Sequence, residues 1–179
     1  MRNWKRKLNE VRVSLDKVFA DDTAAIGSKR DIPSSGHCAV VAMLVRDLFG
    51  GDYVSTVIDG QSHWYNKLYT GNKLRWTHMW VDLTGDQFGG PKIIYSYDSP
   101  LYQNTRVRLP EELNSETKER FYVLRDRFNK IYELDVEAEL AEILQEEIWK
   151  EITAATGETQ EDLDEKIIAQ IMALTKPKE

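Results

Sequence analysis

Cysteine is nearly missing from this chain: Cys38 is the single one among 179 residues. That excludes an intrachain disulfide and leads us to expect a reducing compartment. Long apolar runs are missing too. No stretch approaches the roughly 20 residues needed to cross a bilayer. The basic start, Met1-Arg2-Asn3-Trp4-Lys5-Arg6-Lys7, is not followed by an apolar signal core. The expectation is a cytoplasmic protein with no membrane partner. Nor is there an excess of positive charge. Lys and Arg number 24 against 30 Asp and Glu, a net charge of −6, which argues against nucleic acid as a partner. The sequence shows no internal repeat and no low-complexity segment.

The charge that is present is uneven. Residues 1–20 carry six Lys/Arg against Glu10 and Asp16, whereas Glu and Asp dominate after Tyr132. A basic helix face that is solvated, or that docks on the acidic tail, accounts for this pattern. Apolar residues 4, 8, 11, 15, 18 and 19 predict a helix over 3–20. Asp21, Asp22, Gly27, Pro33 and Gly36 mark a loop. A second helix is expected from about His37 to Phe49, stopped by Gly50-Gly51. From Cys38 to Val45 its side chains are all apolar or small, so burial on most sides follows.

Strands are expected over 53–58, 63–69, 74–83 and 93–97, with Thr70-Gly71-Asn72 as a hairpin turn. The chain then returns to helix. One stripe starts near Pro110 and runs through Phe121, Leu124, Phe128 and Ile131 to about Leu134. A second runs from Val136 to Trp149, and Gly157 breaks it. A third carries Leu163, Ile167, Ile171 and Leu174. The organisation is thus an α+β domain over 1–132 and an acidic helical hairpin over 133–179. The hairpin is expected to pack on the core or to form a homodimer.

Cys38 follows Ser34-Ser35-Gly36-His37 and falls in the first turn of its helix. Unpaired backbone N–H groups and the positive end of the helix dipole meet there, and thiolate is the reactive form of cysteine. A cysteine nucleophile needs a base, usually histidine, and a group that orients the base. His37, adjacent in sequence, projects about 100° around the helix axis from the thiol and is a poor base for it. His63 and His78 lie on the two arms of the expected hairpin. With an even-length loop, paired residues sum to an odd number, and His63 then shares a face with Trp76, His78, Trp80 and Asp82. A one-residue slip separates them. In the favourable register Asp82 adjoins His63 and fixes its tautomer. Cys38, His63, His78 and Asp82 are acceptable zinc ligands by type but lack close-spaced pairs. No metal and no cofactor is expected.

Gly36-His37-Cys38-Ala39-Val40, Ser62-His63-Trp64-Tyr65-Asn66 and Val81-Asp82-Leu83-Thr84-Gly85-Asp86-Gln87-Phe88 resemble the YunG-like family of bacteria and phages. The resemblance covers roughly residues 30–90. The segments are also similar to the wider papain-like group, which includes the transglutaminase and NlpC/P60 folds. It implies a papain-like core, with Cys38 as nucleophile, His63 as base and Asp82 as orienting group. The stretch from His63 to Asp82 is longer than the pattern and adds His78. His78-Met79-Trp80-Val81 resembles a transglutaminase-like strand, so His78 with Asp98 is the reserve arrangement. The implied activity is thiol-dependent hydrolysis or acyl transfer on an amide-like bond of a peptide or amide substrate. The Cys38 N–H would be one oxyanion donor. No glutamine precedes Cys38, and Ser34 and Ser35 are candidates for the second donor by position alone. Gln87 and Phe88 are assigned to turn and core. The competing readings are a catalytically inactive binding or regulatory module on the same fold, and a helical interaction protein.

Overall fold

The computed structural model describes residues 4–29, 31–70, 77–157, 159, 161, 162 and 165. It divides into two compact units, with the boundary between Tyr132 and Glu133. In the first unit, helix α1 (Trp4–Asp16) buries Trp4, Leu8, Val11 and Leu15. These lie three or four residues apart, the spacing that gives a helix one apolar face. Helix α2 (Cys38–Phe49) buries every residue from Val40 to Val45, as its uninterrupted apolar run requires. Gly50 ends it at φ +76° and ψ −161°, and its N–H bonds to the Arg46 carbonyl. This is a glycine conformation at positive φ, though outside the left-handed helical region expected of a helix stop.

A five-stranded antiparallel sheet carries β1 (Asp52–Ile58), β2 (Gln61–Tyr69), β3 (His78–Asp82), β4 (Ile94–Ser96) and β5 (Arg106–Arg108), in the spatial order β4-β3-β2-β1-β5. Four of these strands fall where the pattern places them. β5 does not: Arg-Val-Arg is too short and too charged to read as a strand, and only its pairing with β1 makes it one. Residues 71–76, which hold the expected turn and Trp76, lie outside the described residues. So does most of the last apolar stripe, beginning at Leu163.

β2 and β3 pair Asn66 with Val81 and Tyr69 with His78, so every pair sums to an odd number, as the even-length loop requires. One face of the sheet (Tyr53, Leu68, Met79, Val81) joins the main core with α1, α2 and the start of α3. The other face carries Val54, Tyr65 and Trp80, packed against Leu101 and Tyr102.

Helix α3 runs unbroken over Ser115–Thr156, which corrects the expected division near Leu134. Glu133-Leu134-Asp135-Val136 contains neither Gly nor Pro, so nothing there stops a helix. Phe121, Leu124 and Phe128 are buried in the first unit's core. In the second unit Leu134, Ile143, Leu144 and Ile148 are exposed, and the helix ends before Gly157 at φ +72°. Among the described residues, no helix is long and apolar enough to cross a membrane.

Candidate functional site

The site forms at one end of β2. The β2–β3 pairing covers residues 66–69 of β2, and β3 ends at Asp82. Residues 61–63 of β2 therefore lie beyond the end of β3, with their ladder partners on β1. Two other elements meet the strand there. Phe88, from a 3-10 turn (Gly85–Phe88), sets its ring edge-on to His63 at 4.8 Å. The Cys38 sulfur, at the first position of α2, lies 4.0 Å from the Ser62 carbonyl oxygen.

His63 is wholly buried. Its Nε2 lies 2.7 Å from Asp82 Oδ2. A carboxylate accepts, so Nε2 carries the proton. Asp82 is saturated: Oδ1 accepts from the Thr84 N–H at 2.7 Å and the Thr84 hydroxyl at 2.9 Å, and Oδ2 also accepts from the Tyr102 hydroxyl at 2.6 Å. Four donors on one buried carboxyl favour its ionised form. Burial alone would raise the Asp82 pKa, but His63, Tyr102 and Thr84 hold it below the usual carboxylate range. Burial likewise opposes charge on His63. Asp82, and after it Cys38, outweigh that, and the pKa is pushed up to about 9. His63 Nδ1 is buried with no hydrogen-bond partner among the described residues. It is the ring nitrogen left for Cys38, whose thiol is near enough to raise the basicity of His63.

Tyr102 was not foreseen. It lies in the β4–β5 connection, which is held over the sheet by Thr56 Oγ1 on the Gln103 carbonyl and by Tyr65–Thr105–Tyr102 hydrogen bonds. No spacing links residue 102 to residue 82, so nothing short of the fold reveals the contact. Thr84, two residues after Asp82, both closes the turn and orients the Asp82 carboxylate.

The other candidates are placed elsewhere. His37 is buried among backbone carbonyls, with Nδ1 at 3.0 Å from the Ser35 oxygen and Nε2 at 2.9 Å from Thr23 Oγ1. Desolvation lowers its pKa. It therefore anchors the loop before α2. His78 pairs with Tyr69, six residues along β2 from His63. At about 3.3 Å per residue that is roughly 20 Å away, so the shared face does not bring His78 to Cys38. Asp98 sits in a bend after β4 and is exposed. Ser34 and Ser35 are both engaged. Ser34 is buried and donates to Asp86 Oδ1 at 2.6 Å, and Ser35 Oγ accepts from the Lys29 N–H. Trp80 is buried, whereas Trp64 is partly exposed and lines the cleft beside Cys38.

The 3-10 turn ties the loop before Cys38 to the rest of the first unit. Arg12, buried in α1, forms a two-pronged pair with Asp86 and also reaches Asp16 and the Leu83 carbonyl. It is thus no part of a solvated basic face. Asp86 holds Ser34, and Gln87 Oε1 accepts from the Gly36 N–H at 3.0 Å. The cleft at Cys38 encloses about 560 Å³, and Ser35, Gly36, Trp64, Gln87 and Phe88 are among its lining residues. That size suits a small ligand or a peptide side chain. Among the described residues, no group of three or more His, Cys, Asp or Glu is arranged to hold a metal ion.

Fold and site together define an α+β protein with a buried histidine–carboxylate pair beside a cysteine at a helix start. The chain belongs to the YunG family: the family model described as "YunG protein" matches residues 7–133, which include Cys38, His63, Asp82, Gln87 and Tyr102. It is also similar to the Bacillus subtilis (strain 168) protein described as "Uncharacterized protein YunG". The two are 27% identical over 100 residues, spanning 56% of this chain and 73% of the relative. No solved structure matches the chain.

Proposed function

We propose that this protein is a thiol-dependent hydrolase or acyl transferase with a papain-like core, acting on an amide-like bond in the cytoplasm. The observation that carries the reading is His63, held at Nε2 by a saturated, buried Asp82 and left free at Nδ1 beside Cys38. Cys38 would attack a carbonyl carbon as the thiolate, its proton resting on Nδ1 of the His63 imidazolium. The His63 imidazolium would then protonate the leaving nitrogen, and water would release the acyl group. Asp82 keeps the imidazole in one tautomer and orientation. The test is acylation of the full chain by p-nitrophenyl acetate, followed as a p-nitrophenolate burst and as an acetyl adduct located by peptide mass mapping. Adduct on Cys38, abolished by Cys38→Ala and strongly slowed by His63→Ala, supports the reading. A wild-type protein that acylates no faster than Cys38→Ala points to the inactive binding or regulatory module.

A second reading concerns residues 133–156, where Leu134, Ile143, Leu144 and Ile148 are exposed on a helix otherwise rich in charge. This stripe would serve association with a second copy or another helix. Light scattering of the full chain against a version ending at Tyr132 tests it. A fall from dimer to monomer supports association, and a full chain that is already a monomer counts against the dimer.

A further inference from the structure

We infer that Gln87 supplies the second oxyanion donor of the Cys38 site, its side-chain NH2 acting together with the Cys38 backbone N–H. The inference rests on the acyl-transfer reading above. Gln87 lines the cleft that holds Cys38, and its Oε1 accepts from the Gly36 N–H at 3.0 Å. A backbone N–H can only donate, so oxygen and not nitrogen must face Gly36, and the orientation of the amide is fixed. Nε2 is then the free end. It is buried and has no hydrogen-bond partner among the described residues. An amide NH2 left this way bears its full desolvation penalty, and such a group in a folded protein calls for a specific role.

The placement suits the chemistry. Gly36 stands two residues before Cys38, so the strap that positions the thiol also anchors the amide. Gly36 adopts φ +74°, and a Cβ there would come within 2.8 Å of the Ala25 nitrogen. Only glycine keeps that strap in place. The Cys38 N–H lies in the first turn of α2 and has no acceptor within the helix.

When the Cys38 thiolate attacks, its proton already on His63 Nδ1, a C–S bond forms and the carbonyl π pair moves onto oxygen. The new negative charge meets the two N–H donors. Collapse restores the C=O bond and breaks the C–N bond, and His63 returns its proton to the leaving nitrogen. Donors fixed before the charge develops are the ones that lower the barrier.

The experiment compares two reactions of Cys38 in the full chain: acylation by p-nitrophenyl acetate, which passes through an oxyanion, and alkylation by iodoacetamide, which does not. Gln87→Glu keeps an oxygen for Gly36 and removes the donor; Gln87→Met removes both. Far-UV circular dichroism selects the variants that fold. The expected result is a loss of acylation of about 100-fold or more relative to alkylation in Gln87→Glu, with Gln87→Met behaving alike. Acylation that is unchanged, or that falls only in step with alkylation, overturns the role of Gln87 and leaves the acyl-transfer reading standing. A wild-type protein that does not acylate at Cys38 overturns that reading, and the inference with it.

Discussion

Two histidines of the first unit are equally hidden from water and electrostatically opposite. His37, just before α2, and His63, at the start of β2, expose 2% and 0% of their surface. His37 meets the Ser35 carbonyl at Nδ1 and the Thr23 hydroxyl at Nε2. Nε2 also lies 3.2 Å from the Ala20 carbonyl, which accepts from the Thr23 hydroxyl, so the hydrogen-bond partners of the ring are neutral oxygens. Desolvation outweighs these backbone contacts and lowers its pKa. His63 meets a carboxylate at one nitrogen and no partner at the other, and its pKa is raised to about 9. Burial is common to both, so burial does not decide their charge. The partners decide it. The histidine next to Cys38 in sequence is a structural pin, and the one 25 residues away has the protonation chemistry of a base.

The contrast breaks most completely if Asp82 is removed. Asp82→Ala strips His63 of its counter-charge and strands the Tyr102 and Thr84 donors. A loss of about 3–5 kcal/mol of stability is expected in urea unfolding. The milder Asp82→Asn should make His63 resemble His37, with its NMR titration moving below the wild-type value toward or under 6.5.

The pH dependence of stability separates the two sites next. The folded pKa of His63 lies above its ordinary 6.5. Its contribution is therefore complete below pH 6.5 and disappears as the pH rises through about 9. At about 1.4 kcal/mol per tenfold change in proton affinity, this amounts to something on the order of 3 kcal/mol. His37 has the opposite sign. Its folded pKa is lowered, so the fold resists its protonation and stability declines as the pH falls below 6.5. Urea unfolding followed by tryptophan fluorescence should show His63→Ala flattening the alkaline limb alone, while His37→Asn flattens the limb just below pH 6.5.

The smallest expected effect is that of Tyr102→Phe. It removes one hydrogen bond to an ionised carboxylate and leaves three. A loss of roughly 1.5–2 kcal/mol is expected, with the His63 titration still well above 6.5. A collapse of that titration to the His37 range would show that Tyr102, rather than Asp82, governs the histidine.

Much of this arrangement is legible without coordinates, for physical reasons. The uninterrupted apolar run of α2 dictates its burial, and the hairpin limits the register to two choices, of which the even-length loop is the one that sets His63 beside Asp82. Other parts depend on contacts between residues far apart in sequence. Arg12 reads as one more charge on a basic arm until Asp86, 74 residues on, comes within reach. Tyr102 has no local pattern, because its role depends on a connection folded over the sheet. Gln87 reads correctly as a turn residue, since its oxygen does hold Gly36. The unpartnered nitrogen on the same amide becomes visible only when every neighbour is in place. The continuity of α3 past Leu134 was legible from the absence of Gly and Pro, but two apolar stripes of different phase disguised it.

The alkylation rate of native Cys38 by iodoacetamide, followed against pH in the wild type and in His63→Ala, tests the central claim most directly. If Cys38, His63 and Asp82 act as a unit, wild-type Cys38 reacts at neutral pH at least about tenfold faster than the thiol of the unfolded chain. That advantage vanishes in His63→Ala while the protein stays folded. A Cys38 that resists labelling until the protein unfolds, or that labels identically with and without His63, contradicts the account.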